Sequence, residues 1–157
     1  LFFSVLDRSV KLVEIEVYKK HFVDVKSLFN AIYHFLRGLV EHAQNHRDYI
    51  AIYCDLGSSS MNRFAAITSE KYRQATSKYT IKMVEASKKR GEIDGQIDNN
   101  VAAYMIDSYI TLFAYSLVSE YQSKRFNSFF SVDGKRLRAD EQIDLIVSSL
   151  RQALRKP

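Results

Sequence analysis

Residues 98–121 read DNNVAAYMIDSYITLFAYSLVSEY, and after Asp98 only Asp107 and Glu120 carry charge. A short acceptor side chain directly ahead of an apolar run is a helix N-cap, so Asp98 is expected to start a helix. From Val101 to Tyr121 that helix is apolar almost all the way round. One face carries Ala103, Ile106, Tyr109, Ile110, Phe113, Leu117 and Tyr121; the opposite face carries Val101, Met105, Ser108, Leu112, Tyr115 and Ser119. Two apolar faces need two partners. The first is expected to pack on the chain's own core, and the second, with its small serines, to let another helix approach. The helix is expected to continue to about Phe130 and to stop at the turn signal Asp133-Gly134.

The flanking sequence is helical too. Upstream, a fourth helix spans roughly Met61 to Arg90, capped by Ser58, Ser59 or Ser60, with an inner stripe of Met61, Phe64, Thr68, Tyr72, Ala75, Tyr79, Met83 and Ala86. Lys88, Lys89 and Arg90 complement the negative end of its dipole, and Gly91 is placed to take the left-handed C-terminal conformation. A second helix is expected from near Asp24 to Asn45, and a short third one from Asp48 to Leu56 with Tyr49, Ile52, Tyr53 and Leu56 inward. Leu6, Val10, Val13 and Val17 make the stripe of a first helix. Leu1-Phe2-Phe3 opens inside that stripe with no capping residue ahead of it, so this helix is expected to have begun upstream. Downstream, Asp140 is expected to cap a last helix whose stripe is Ile143, Ile146, Val147, Leu150 and Leu154. The fold class is all-α, in about six helices.

Composition agrees with one such domain over residues 1–157. One proline and five glycines leave little material for loops, and 157 residues can bury a core without staples. The one cysteine, Cys54, has no partner for an internal bridge, and no run approaches the ~18 apolar residues of a membrane span. No secretion signal is visible, so a cytoplasmic protein without a membrane partner is expected. The net charge of +5 could suggest nucleic acid, but basic against acidic residues run 7 to 6 in 1–50, 8 to 6 in 51–100 and 8 to 6 in 101–157. No basic stripe stands out, so any DNA-contacting element is expected elsewhere.

Signatures of catalysis and cofactor binding are missing. There is no paired Glu-x-x-His, no His-Glu-x-x-His and no glycine-rich phosphate loop. His42 and His46 stand at i, i+4 with His34 two turns earlier, a spacing that can serve a metal, but histidines at a helix C-terminus also answer the dipole, and no metal or other cofactor is expected. No enzymatic activity is expected. A helical enzyme would have to work through polar residues such as Tyr72 or Asp107. Phe29, Tyr33, Tyr53, Phe64, Tyr72, Tyr79, Tyr109 and Phe113 lie on inward stripes, which fits a plain core and an orienting apolar cavity equally.

Lys89-Arg90-Gly91-Glu92-Ile93, leading to Ile97-Asp98 and then Ala102-Ala103, together with the order of helices, resembles the TetR (tetracycline repressor) family of bacterial transcriptional regulators. The stretch Leu1 to Leu6 looks like the helix after that family's helix-turn-helix head. His46-Arg47-Asp48 departs from the His-Pro often found at that junction. The resemblance implies an effector-binding and dimerising domain, with a helix-turn-helix of about 50 residues expected ahead of Leu1 to contact operator DNA. It implies a homodimer whose four-helix interface comes from the last two long helices, through Met105, Ser108, Leu112, Tyr115 and Ser119 with Ile143, Ile146, Val147 and Leu150. It places a small apolar or aromatic effector among the second, fourth and fifth helices, against Phe29, Tyr33, Tyr53, Phe64, Tyr72, Tyr79, Ile106, Tyr109 and Phe113. A repressor released by that effector is the function implied; the alternative is a stand-alone helical adaptor that binds a partner helix without touching DNA.

Overall fold

The computed structural model describes residues 2–12, 26–64, 74–131 and 134–155. The fold is all-α, with no strand among the described residues. Among the described residues, seven α-helices follow one another: α1 (Phe2–Leu12), α2 (Leu28–Asn45), α3 (Arg47–Asp55), α4 (Gln74–Lys89), α5 (Asn99–Val118), α6 (Glu120–Phe130) and α7 (Ala139–Leu154), with a 3₁₀ turn at Ser59–Met61 after α3. Val13, Val17, Asp24, Thr68, Tyr72 and Asp133 lie outside the described residues.

Several boundaries have an identifiable cause. The end of α4 is a Schellman motif: Glu92 N–H donates to Ser87 O (2.9 Å), Gly91 N–H to Lys88 O (2.9 Å), and Gly91 sits at φ +75°, where a side chain would be strained. Asp98 caps α5, its carboxylate accepting from the backbone of Asn100 (2.8 Å) and Val101 (3.1 Å). Lys26 and Ser27 are already non-helical, so α2 begins at Leu28 rather than near Asp24. Ser27 gives no side-chain cap, and the first N–H of α2 instead donates to Glu92 Oε2 at 2.7 Å. At α7 the cap position is Arg138, not Asp140. Arginine has no acceptor, so only the returning half of a capping box forms: Glu141 Oε2 accepts from Arg138 N–H at 2.7 Å.

The expected fifth helix is two helices. Ser119 adopts an extended conformation (φ −105°, ψ 121°), ends α5 and caps α6, its hydroxyl accepting from Gln122 N–H at 3.3 Å. Arg47, at the start of α3, donates to Val118 O at 2.6 Å and satisfies a carbonyl that the break sets free.

Packing centres on α5, which touches α2, α3, α4, α6 and α7. By length and composition α5 could cross a membrane, where no such run was expected from the sequence. Ala102, Ala103, Ile106, Ile110, Phe113 and Ala114 are buried against Phe29, Ile32, Phe35, Leu36 and Leu39 of α2 and against Ile143, Ile146, Leu150 and Leu154 of α7. Two stripes are rotated from the expected ones. Among the described side chains of α4 the buried ones are Thr80, Val84 and Ser87, each one position after Tyr79, Met83 and Ala86, and one position is about 100° of helix rotation. On α3 they are Ile50 and Cys54, with Tyr49, Ile52, Tyr53 and Leu56 half-buried.

Because Glu92 joins α2 to the end of α4, Glu92→Ala is expected to lower unfolding free energy by about 2 kcal/mol, the range of a charged hydrogen bond. Gly91→Ala is expected to cost about 1 kcal/mol through its left-handed backbone alone, since no atom crowds the position. Chemical denaturation at neutral pH checks both; an unchanged midpoint in Glu92→Ala would remove the joint from the account.

Candidate functional site

Of the residues expected to line an apolar cavity, Phe29, Ile106, Phe113 and Tyr33 meet in the core cluster, and Tyr53, Phe64, Tyr79 and Tyr109 lie outside it. Phe29, Ile106 and Phe113 are fully buried in the core, with the guanidiniums of Arg151 and Arg155 over the Phe29 ring at 5.3 and 5.8 Å. Tyr33 is half-buried on α2, its ring edge-on to His34. Phe64 meets Phe3 of α1 edge-on at 5.5 Å, and Tyr53 is half-buried on α3. Tyr79 is 55% exposed because α4 turns Thr80 inward, and Tyr109 lies at the surface. Tyr72 lies outside the described residues.

The dimer residues divide in a similar way. Ile143, Ile146, Val147 and Leu150 are buried within the single chain, where α7 lies along α2, so its outward side is polar: Glu141, Asp144, Ser148 and Gln152. Ser119 is a cap. Tyr115 turns inward, its hydroxyl donating to Cys54 O, and Gly57 leaves room for it: a Cβ there would stand 3.0 Å from the Tyr115 oxygen. Burial pushes the Cys54 thiol up to about 12, which keeps it protonated and unreactive. Met105 packs against the core, and Tyr121, expected on the core face, is 73% exposed because the break at Ser119 redirects it.

Apart from Tyr109, the exposed large apolar residues of α5 fall on one stripe. Val101, Tyr104, Ser108 and Leu112 follow i, i+3, i+7 and i+11 spacing on the side opposite Ala103, Ile106, Ile110 and Phe113; Tyr104 is 74% and Leu112 50% exposed. Asp107 sits half-buried on the flank of this stripe, and burial pushes its carboxyl pKa up.

A second feature lies at the break between α5 and α6. A groove of about 550 Å³ opens there, lined by Arg47, Lys124, Arg136, Glu120 and serines that include Ser119 and Ser123. None of the nine expected cavity residues borders it. Arg136 Nη2 donates to Ser123 Oγ at 2.8 Å, Lys124 pairs with Glu120 at 2.8 Å, and Asn127 donates to Ser123 O while its Oδ1 stays buried without a partner among the described residues. Gly134, at φ +72°, makes the turn that brings Arg136 back to α6.

No family model, curated protein or solved structure matches the chain. Among the described residues no three His, Cys, Asp or Glu side chains gather as a metal set; His42 and His46 meet at a tilt, 4.9 Å between ring centroids. Tyr104 and the groove were both missed in the sequence. Tyr104 had a signal, since it falls on the Val101–Ser108–Leu112 stripe. The groove had none, because its cations come from α3, α6 and the turn before α7.

The folded chain holds the Asp107 proton to higher pH than the unfolded chain does. It therefore binds more protons between the two pKa values, and stability falls as pH rises through that window. Asp107→Asn is expected to be more stable than the parent at pH 7, with the gain fading as pH falls toward the ordinary aspartate value of about 3.9. Urea unfolding across that range measures it; a gain that ignores pH would mean that the charge is not its source.

Proposed function

We propose that the chain is the effector-binding and dimerising domain of a TetR-like transcriptional regulator, a repressor released from DNA by a small apolar or aromatic effector. The observation that carries this reading is the uncovered apolar stripe Val101, Tyr104, Ser108 and Leu112 on a helix whose other side is the core. Monomers seldom leave large aromatic and aliphatic side chains aligned in water without a use, and a stripe of one helix is self-complementary about a two-fold axis. A second copy packing α5 against α5 across Ser108, where a small side chain allows close approach, covers it. The segment that carries the resemblance supports the reading too, since Gly91, Glu92 and Asp98 each hold a helix end.

The interface in this reading is narrower than a four-helix one built on Ile143 and its neighbours, because those side chains serve the core. The effector lies between α2 and α4, which both lean on α5 and touch each other little. Operator contact belongs to a helix-turn-helix encoded ahead of residue 1, one in each subunit of the dimer. Binding changes DNA affinity only so far as the effector prefers one of two conformations.

Sedimentation of the chain is expected to give a dimer, and Leu112→Glu, which places like charges across the two-fold axis, a monomer with an unchanged helical spectrum. A parent chain that stays monomeric at high micromolar concentration would overturn the interface. For the regulator itself, the reading frame upstream of the Leu1 codon is expected to encode a helix-turn-helix. Apolar aromatic compounds are expected to raise the melting temperature of the complete protein and release it from its operator. A start codon within a few residues of Leu1 would end the DNA-binding claim.

A further inference from the structure

We propose that the groove beneath α6 binds the phosphate of a small phosphorylated polyol. Its cations arrive from three separate elements: Arg47 from the first residue of α3, Lys124 from α6, and Arg136 from the turn before α7. Glu120, the acid among the described lining residues, pairs with Lys124 at 2.8 Å. The guanidiniums of Arg47 and Arg136 face no carboxylate among the described residues. They bond neutral acceptors instead, Val118 O at 2.6 Å and Ser123 Oγ at 2.8 Å. Each guanidinium has five N–H donors in a planar fork, so one such bond leaves donors for an incoming anion.

Charge and shape select the ligand. Among the described lining residues, three cations against one acid leave an excess of positive charge, which suits a phosphate ester carrying about −1.5 to −2. Both ends of α6 and the end of α5 border the groove, so helix dipoles do not select the anion and the side chains do. Donors reaching one space from three elements fit the several directions of a tetrahedral phosphate better than a planar carboxylate, which a single fork can satisfy. The volume of about 550 Å³ exceeds a phosphate group and accommodates a small molecule. Ser119, Ser123 and their neighbouring hydroxyls line the remainder, so the rest of the ligand is a hydroxylated carbon chain or ring rather than an apolar body. The groove lies at the α5–α6 break, apart from the α2–α4 space of the regulator reading, and either assignment can fail alone.

The test is a titration of the full chain, followed by calorimetry and amide NMR at fixed ionic strength, with glycerol 3-phosphate, inorganic phosphate, glycerol and sodium chloride as separate arms. Glycerol 3-phosphate is expected to bind saturably at one site per chain and to move the amides of residues 119–124, with inorganic phosphate weaker at the same residues and glycerol silent. Arg136→Gln is expected to weaken binding at least tenfold with the thermal midpoint unchanged. Arg47→Gln should weaken it too, but it also loses the tie to Val118, so Arg136→Gln decides. A response that sodium chloride reproduces, shifts elsewhere on the chain, or undiminished affinity in Arg136→Gln would overturn the site.

Discussion

The carboxylate of Glu92 accepts the first N–H of α2 across 64 positions of sequence. That N–H is an orphan of helix geometry, and Ser27, in the usual capping position, leaves it unmet. Glu92 itself is placed by the Schellman turn at Gly91 and held by Arg90, whose Nε donates to Oε1 at 2.6 Å. The next residues fix two further helix ends: Ile93 is buried, Asp94 N–H donates to Leu154 O at the end of α7 (2.8 Å), and Asp98 caps α5. Four helices thus start or finish against one short segment. With their ends tied, the main freedom left to each helix is rotation about its own axis, and the distribution of apolar side chains decides that.

That separation explains what was legible in the sequence. Asp98 and Gly91 act within a few residues of themselves, so their roles could be read from local chemistry. The break at Ser119 could not, because a serine after an apolar run suits a small-residue face and an N-cap equally. What distinguishes them is Arg47 meeting Val118 O from 71 positions away. The rotations of α3 and α4 were hidden for another reason. Burial of Thr80 and Ser87 runs against hydrophobic patterning, and Ser87 is tolerated inside because its hydroxyl accepts from Arg90 Nη2 at 3.0 Å.

The two apolar helices near the C-terminus met different fates. α7 has one apolar stripe, and α2 takes it; once Ile143, Ile146 and Leu150 are in the core, the fully exposed positions of α7 are polar apart from Ala153. α5 is apolar on more of its circumference than five neighbours cover, so Val101, Tyr104 and Leu112 are left outside. Asp107, on the flank of that stripe, carries a desolvation cost at neutral pH that a residue kept only for solubility would avoid by facing fully outward.

Charge that is even along the chain is not even in space. Reading the basic residues by thirds spread them uniformly, yet Arg47, Lys124 and Arg136 border one groove. Folding accounts for two of the three. Arg47 satisfies a carbonyl at the negative end of α5, and Lys124 has Glu120 one helical turn away, a pair supported by their i, i+4 spacing. Arg136 holds no helix end and, among the described residues, meets no acid; a single solvent-exposed bond to the hydroxyl of Ser123 contributes little to stability. Its position beside two other cations is mildly unfavourable for the empty groove and becomes favourable once an anion lies between them. Arg136 is therefore the residue in which a role in binding separates most cleanly from a role in folding.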